Sequence, residues 1–239
     1  MPRHVQAVLF DAVGTLLKPR PSVAEAYQSA GSRHDVNLTL AEVRSRFDAA
    51  LRDCLVEDQQ HHDHRTNETR ERARWQTIVE FVFAAEVDNP AKLKRIFDDL
   101  WQHFADPENW ALFDDVARTW QELERQEIQL GIASNFDERL LTIAEHHSPL
   151  ADCQHWFVSS QVGHRKPGPR FFASIERELS LESDQLLLVG DDLENDYRAA
   201  RAAGWHAYHV DRTGAQEHFD GDPAHRLGRL DELIEVLAR

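Results

Sequence analysis

The apolar residues of this chain follow two different patterns, and each pattern predicts a different kind of structure. Short apolar runs, separated by loops or amphipathic stretches, occupy residues 5–10 and the region after about residue 112. Residues 20–110 show helical periodicity almost throughout. Alternating strands and helices are typical of βαβ units and a parallel sheet. We therefore predict a doubly wound, Rossmann-like α/β core with an all-helical cap inserted after the first strand.

The elements of the core are predicted from the length and period of each apolar segment. Strands are predicted at residues 5–10, 129–134, 156–159, 186–189 and 206–210. Helices are predicted at residues 114–126, 137–147, 168–179, 195–203 and 230–237. These segments place the core at residues 1–17 and 112–239, and the helical cap at residues 18–111.

Local signals in the insert support helices. Thr39 and Glu42 form a capping-box pattern, in which each side chain bonds the other residue's main chain at the start of a helix. Asn89 followed by Pro90 matches the N-cap and first position of another helix. The polar residues 57–66 are predicted to form a loop between two of these helices.

The composition narrows the range of functions. The formal net charge is −15, from 42 acidic and 27 basic side chains. Such a surface repels nucleic acid and anionic lipid, so neither is expected as a partner.

Cys54 and Cys153 lie far apart without metal-site spacing, which fits a reducing compartment. The sequence shows no signal-peptide pattern and no apolar run of membrane-spanning length, so we expect a cytoplasmic protein. Its oligomeric state stays open.

Most of the candidate chemistry lies directly after predicted strands. Ligands of open parallel sheets bind beyond the carboxyl ends of the strands, so these residues are expected to converge. In chain order they are Asp11, Val13, Thr15, Ser134, Asn135, Lys166, Asp191, Asp192 and Asp196. Carboxylates that face a phosphate need a cation between them, and Mg²⁺ prefers oxygen ligands. Lysine and hydroxyl groups would hold the remaining phosphate charge.

Four ordered motifs resemble those of the haloacid dehalogenase superfamily. They are Phe-Asp-Ala-Val-Gly-Thr-Leu at residues 10–16, Ile-Ala-Ser-Asn at 132–135, Lys-Pro at 166–167 and Gly-Asp-Asp-Leu-Glu-Asn-Asp at 190–196. The predicted strand order and the helical insert also match that superfamily. The resemblance implies a Mg²⁺-dependent hydrolase that acts on a small phosphorylated metabolite.

The resemblance also implies a role for each matching residue. Asp11 would be the nucleophile and form an aspartyl-phosphate. Ser134 and Lys166 would hold the phosphoryl group, with Thr15 and Asn135 beside them. Asp11, Asp191 and the main-chain carbonyl of Val13 would bind Mg²⁺, assisted by Asp192 or Asp196.

Val13 departs from the pattern of the superfamily's phosphatases. Those enzymes have a second aspartate at this position, which protonates the leaving oxygen and then activates water. Valine cannot transfer a proton, and general acid–base help is typically worth about 10²–10⁴-fold in rate. Alkyl phosphates should therefore react slowly, and leaving groups of low pKa should be least affected.

Three interpretations remain open from the residues. The first is a phosphohydrolase whose proton transfer is carried out by a cap residue, water or the substrate. The second is another reaction on the same fold, such as metal-independent 2-haloacid dehalogenation, which would leave the acidic cluster unexplained. The third is a phosphate- or metabolite-binding protein with little turnover. The cap contributes one candidate proton donor, since His61, His62 and His64 fall in a run that otherwise predicts a solvated loop.

Overall fold

The structure is a computed structural model that describes residues 5–61, 64–214 and 219–237.

The central strand of the sheet is a run of four buried apolar residues. Strand β1, Ala7–Phe10, directs Val8 and Phe10 to one apolar core and Ala7 and Leu9 to another. This alternation follows from the two-residue period of a strand. Burial on both faces explains why the strand carries no polar residue.

Six parallel strands form the sheet in the order β5-β4-β1-β6-β7-β8. The others are β4 (Gln129–Ser134), β5 (His155–Val158), β6 (Leu186–Gly190), β7 (His206–Val210) and β8 (Arg226–Leu227). Chain order runs outward from β1 in one direction through β4 and β5, and in the other from β6. The strand order therefore reverses beside β1, which is where such sheets bind ligands.

Helices cover both faces of this sheet. Helices α5 (Val116–Arg125), α6 (Arg139–Glu145) and α10 (Glu232–Leu237) contribute to the core that contains Phe10. Helices α8 (Pro169–Leu179) and α9 (Ala199–Ala202) contribute to the core that contains Leu9. The short helix α7, Ser159–Val162, follows β5 directly.

The helical insert is joined to the core by a two-stranded ribbon. Strands β2 (Leu17–Pro19) and β3 (Trp110–Leu112) pair antiparallel. Between them lie α1 (Val23–Arg33), α2 (Leu40–His61), α3 (Glu68–Phe83) and α4 (Pro90–His103), with an apolar core of their own. The domain limits at residues 18 and 111 stay a prediction, and the ribbon lies at those two positions.

The predicted fold class is confirmed, as is the start of each capped helix. Thr39 and Glu42 exchange the expected capping hydrogen bonds, and Asn89 caps α4. No helix within residues 5–61, 64–214 and 219–237 combines the length and apolar character needed to cross a membrane.

Two predicted elements were wrong in detail. Helix α2 continues to His61, so the loop predicted from residue 57 begins later. The residues concerned are polar but include good helix formers and no glycine or proline, so polarity alone did not mark an end. The helix predicted at residues 195–203 begins instead as a π-helical turn, Leu193–Arg198. Such single π turns often occur at functional sites.

Candidate active site

Asp11 lies directly after β1, at the centre of the sheet. Its main-chain N–H donates to the carbonyl of Val189 in β6 over 2.9 Å, which extends the strand pairing by one residue. Its side chain is largely buried, and Oδ1 accepts a hydrogen bond of 2.8 Å from Nζ of Lys166. The sheet therefore fixes the main chain of Asp11, and a lysine from another loop fixes its carboxylate.

The ammonium group of Lys166 has three acceptors in a buried position. Nζ lies 2.8 Å from Asp11 Oδ1, 2.5 Å from Asp196 Oδ1 and 2.7 Å from the carbonyl oxygen of Ala133. Burial opposes the charged form, but the carboxylates of Asp11 and Asp196 raise the pKa of Lys166 above its usual range. Lys166 therefore remains a fixed positive charge between two of the predicted site aspartates.

Asn135 holds the main chain of Lys166 in place. Its Nδ2 donates to the Lys166 carbonyl over 2.9 Å, and its Oδ1 accepts from the Lys166 N–H over 2.8 Å. The sequence predicts a phosphate-binding role for Asn135, whereas in the structure both ends of its amide are used by the lysine loop. Ser134, one residue earlier, is buried at the end of β4.

Three of the predicted aspartates form one cluster. Asp11, Asp191 and Asp196 each offer a carboxylate oxygen within 4.8 Å of those of the other two. Burial, followed by the negative charge of Asp11, raises the pKa of Asp191. Burial also raises the pKa of Asp196, although Lys166 opposes this shift. An all-oxygen donor set with excess negative charge is what a hard divalent cation requires, so these residues fit Mg²⁺.

Asp192 lies outside this cluster because its carboxylate caps the following turn. Its Oδ1 accepts from the N–H groups of Glu194 and Asn195 at 2.9 Å each. Its own N–H donates to Asp196 Oδ2 over 3.1 Å. The main-chain N–H of Asp192 therefore helps to orient the carboxylate of Asp196. The sequence could not distinguish the roles of these two aspartates, and the structure brings only Asp196 into the cluster.

Two glycines make room for the carboxylates. A Cβ atom on Gly14 would lie 2.1 Å from Oδ2 of Asp191, and Gly14 also has a φ of +93°. A Cβ atom on Gly190 would lie 2.1 Å from Oδ2 of Asp196. A side chain at either position would force the aspartate to move, because real Cβ atoms essentially never make such short contacts. The glycines of the first and fourth motifs are thus explained by the packing of the acidic cluster.

Thr15 and an arginine that the sequence did not single out hold the loop after Asp11. The Thr15 hydroxyl is buried and donates to Asp191 Oδ1 over 3.3 Å. Arg212 donates to the carbonyl of Gly14 over 3.2 Å and to that of Thr15 over 2.6 Å. Asp115 binds the same guanidinium at 2.9 and 3.1 Å. Arg212 closely follows β7, so its position at the carboxyl edge of the sheet could have suggested it.

Val13 lines a cavity of about 240 Å³ between the helical insert and the core. Its walls are mainly aromatic and include Tyr27, Phe47, Trp75, Trp101, Trp110 and Phe136. The sequence predicts packing roles for Trp75, Trp101, Trp110 and Trp120, and all four pack against apolar clusters. Trp120 is buried beside Phe10, and the other three also line the cavity wall.

The described residues that line this cavity do not replace the missing acid. Only Tyr27 and Arg139 among them carry an ionisable side chain. Burial raises the pKa of Tyr27 above its usual range, and a guanidinium keeps its proton in proteins. Arg139 is also engaged by both oxygens of Asp137 at 2.7 Å. Both are therefore much weaker acids than an aspartic acid.

The histidine run reaches the lysine loop through one described residue, His64. His61 ends α2, His62 and Asp63 lie outside the described residues, and His64 is partly buried. The carbonyl of His64 accepts a hydrogen bond of 2.8 Å from the N–H of Arg165, next to Lys166. His64 therefore lies in a loop, as predicted, but it is partly buried and contacts the lysine loop through its carbonyl. Its ring is not among the described groups that line the cavity.

Known proteins are similar to this chain in sequence or in fold. Residues 5–204 match the family model of haloacid dehalogenase-like hydrolases. A Danio rerio haloacid dehalogenase-like hydrolase domain-containing protein 3 is 30% identical over 233 residues, covering 96% of this chain and 95% of that protein. The crystal structure of a defluorinating L-2-haloacid dehalogenase superposes with a TM-score of 0.77 at 17% identity, covering 98% of this chain and 96% of that chain. This last similarity shows the fold alone.

The parallel sheet and the matching motifs define a hydrolase of the haloacid dehalogenase type. The chain belongs to the haloacid dehalogenase-like hydrolase family. Some of its relatives are phosphatases: a glyceraldehyde 3-phosphate phosphatase from Methanopyrus kandleri is 27% identical over 134 residues, 52% of this chain and 56% of that protein.

Proposed function

We propose that this protein is a Mg²⁺-dependent phosphohydrolase that acts on a small phosphate ester through an aspartyl-phosphate on Asp11. The observation that carries the proposal is the buried contact of Lys166 with both Asp11 and Asp196. A lysine fixed among carboxylates can neutralise a bound phosphoryl group, because phosphate and carboxylate would otherwise repel each other. The phosphatases among the relatives support a phosphorylated substrate.

Asp11, Asp191 and Asp196 would hold the metal, with the main-chain carbonyl of Val13. Bound Mg²⁺ would offset the negative charge shared by the carboxylates and the phosphate. The carboxylate of Asp11 would then attack phosphorus while the ester oxygen leaves with the bonding electron pair. Lys166 would hold the phosphoryl oxygens, as would Ser134 at the end of β4. Asn135 would keep Lys166 in position through its two hydrogen bonds.

Val13 supports a second candidate function, the binding of a phosphate ester with little turnover. Neither Val13 nor a described group of the cavity wall offers a carboxylate or an imidazole that could protonate the leaving oxygen or activate water. In a binding protein the same lysine and acidic cluster would hold the phosphate without cleaving it. Metal-independent dehalogenation fits less well, because it gives the acidic cluster no use.

Hydrolysis of acetyl phosphate with Mg²⁺ tests the proposal, because acetate leaves without needing a proton donor. We expect turnover by the intact protein, and loss of turnover in Asp11→Asn and after chelation of the metal. Equal rates in the wild type and Asp11→Asn would refute the proposal. Tight Mg²⁺-dependent binding of phosphate esters without any turnover would establish the second candidate instead.

A further inference from the structure

The cavity beside Val13 carries information about the substrate. Val13 lies two residues from Asp11, and Asn135 binds the main chain of Lys166. Both side chains line the cavity, which the insert covers from the other side. A phosphoryl group bound at Asp11 and Lys166 would therefore direct its ester substituent towards this space.

The cavity is large enough for an aromatic ring. Its volume is about 240 Å³, and an apolar cavity of about 150 Å³ in another protein is known to bind benzene. The wall contains tryptophan, tyrosine and phenylalanine rings, including Tyr27, Trp75 and Phe136. Aromatic rings prefer edge-to-face or offset contacts with one another, so such a wall favours a flat apolar group.

Three of the polar side chains in the wall, those of Arg139, Asn135 and Trp110, are already engaged. Arg139 is bound by Asp137 and donates to the carbonyl of Trp101 over 3.3 Å. The amide of Asn135 binds the main chain of Lys166. Trp110 Nε1 donates to the main-chain carbonyl of Phe104 over 3.3 Å. A sugar or amino acid placed here would lose hydrogen bonds to water without gaining these groups as partners.

A cationic substituent is disfavoured for a different reason. The guanidinium of Arg139 lies 3.5 Å from the centre of the Trp101 ring, and that of Arg72 lies 4.5 Å from it. An aromatic ring attracts cations through its negative face, but Trp101 already contacts two positive groups. A quaternary ammonium group would meet their repulsion.

We infer that this cavity binds the aromatic ring of an aryl phosphate, so that phenol-type phosphate monoesters are the substrate class. This inference rests on the proposed phosphohydrolase function. It also explains how Val13 can be tolerated in the step that releases the phenol. A phenol has a pKa of about 10, whereas an aliphatic alcohol is about as weak an acid as water, near 15.7. A phenolate therefore leaves without a proton donor far more readily than an alkoxide.

The proposed reaction balances in two steps. A bond forms between an Asp11 oxygen and phosphorus while the bond from phosphorus to the aryl oxygen breaks, and the phenolate leaves with the electron pair. Water then attacks phosphorus and displaces the Asp11 carboxylate, which releases phosphate. The proton lost by this water passes to solvent or to the phenolate.

Binding of three phosphonates tests the cavity separately from turnover. Phenylphosphonate, methylphosphonate and 2-(trimethylammonio)ethylphosphonate share one anchoring group and cannot be hydrolysed. Calorimetry on the intact protein with Mg²⁺ should show phenylphosphonate binding about 10- to 100-fold more tightly than methylphosphonate, as expected for burial of an aromatic ring. Equal affinities, or tightest binding of the cationic compound, would overturn the inference.

A pair of tryptophan variants locates the effect. Val23 lines the cavity near the start of α1, so Val23→Trp should fill it and reduce the phenyl preference at least about fivefold. Ser29→Trp, on the exposed side of the same helix, should leave the preference unchanged. An undiminished preference in Val23→Trp, with its thermal unfolding temperature confirming folding, would place the ring elsewhere.

The acetyl phosphate assay separates the two proposals. Turnover of acetyl phosphate without a phenyl preference would refute the aryl inference and leave the phosphohydrolase proposal intact. A phenyl preference without turnover of acetyl phosphate would support the cavity assignment and refute hydrolysis.

Discussion

Nζ of Lys166 donates to Oδ1 of Asp11 over 2.8 Å in a position from which solvent is almost excluded. The same ammonium group also contacts Asp196, so one lysine pairs with two carboxylates, one that follows the central strand β1 and one that follows β6. The contact links the proposed nucleophile to a residue proposed to bind the metal. It also gives the site a structural role that can be measured without a substrate.

Replacing Lys166 by methionine should destabilise the metal-free protein by about 3–5 kcal/mol, because two buried carboxylates would lose their partner. Urea unfolding in a chelator measures this loss, and Mg²⁺ should restore part of it by replacing the lost positive charge. Lys94 offers a control, since its ion pair with Asp98 is exposed. Lys94→Met should cost less than about 1 kcal/mol, and equal losses in the two variants would contradict the account.

Gly190→Ala should weaken Mg²⁺ binding, because the added methyl group would lie 2.1 Å from Asp196 Oδ2 and would displace that carboxylate. Overpacking of this kind typically costs about 1–3 kcal/mol in stability. Gly228→Ala is the matched control, since its Cβ would lie 3.4 Å from the nearest atom. Calorimetric Mg²⁺ titration should show a loss for the first variant only, and unchanged affinity in Gly190→Ala would argue against Asp196 as a ligand.

The pair formed by Asp115 and Arg212 should make stability depend on pH. Burial opposes the charged form of Asp115, but hydrogen bonds from Arg212 and the N–H of Leu230 lower its pKa. An aspartate in the unfolded chain has a pKa of about 3.9. The stabilisation from Asp115 is therefore present above that pH and is lost as the pH falls through its lower pKa in the folded protein. Asp115→Asn should lose about 1.5–3 kcal/mol at pH 7, and its difference from the wild type should shrink towards pH 3.

Urea unfolding between pH 7 and pH 3 measures this difference. Asp114→Asn is the control, because the neighbouring Asp114 side chain is 82% exposed. A gap between Asp115→Asn and the wild type that stays constant with pH would show that the ion pair with Arg212 is not the cause.

Introducing an aspartate at position 13 should supply the missing proton transfer. Val13→Asp should raise the hydrolysis of alkyl phosphates by about 10²–10⁴-fold and change the rate at which acetyl phosphate phosphorylates Asp11 much less, because acetate needs no proton. Val13→Asn has a similar shape without the acid and should show no gain. If the wild type already hydrolyses alkyl phosphates rapidly and Val13→Asp adds nothing, another group performs this step.

Five of the six strands of the sheet could be predicted from the sequence, because runs such as β1, β4 and β6 are short and apolar and each end at a polar motif. The two-residue strand β8 was missed. The runs of β1 and β6 placed Asp11 and Asp191 on one edge, although the contacts of Lys166 with this cluster needed the structure. Capping patterns such as Thr39 with Glu42 are local, so they too could be recognised from residue types.

Features that depend on distant contacts could not be predicted. The pairing of β2 with β3 joins segments about ninety residues apart, and neither segment has a distinctive pattern. Asp192 and Asp196 are both aspartates of the fourth motif, so the sequence could not separate their roles. In the structure, Asp192 caps the π-helical turn, whereas Asp196 belongs to the acidic cluster. The aromatic cavity arises where the insert meets the core, so helical periodicity could not distinguish Trp75 in its wall from a packed tryptophan.

The phosphorylation state of Asp11 tests the central claim most directly. Without an acid/base at position 13, hydrolysis of the aspartyl-phosphate should be slow, so the phosphorylated protein should accumulate during reaction with acetyl phosphate and Mg²⁺. Mass spectrometry after acid quenching should show one added phosphoryl group, located on the peptide that contains Asp11 and absent in Asp11→Asn. Turnover of acetyl phosphate with no phosphoryl group on Asp11, or with the same modification in Asp11→Asn, would contradict the account.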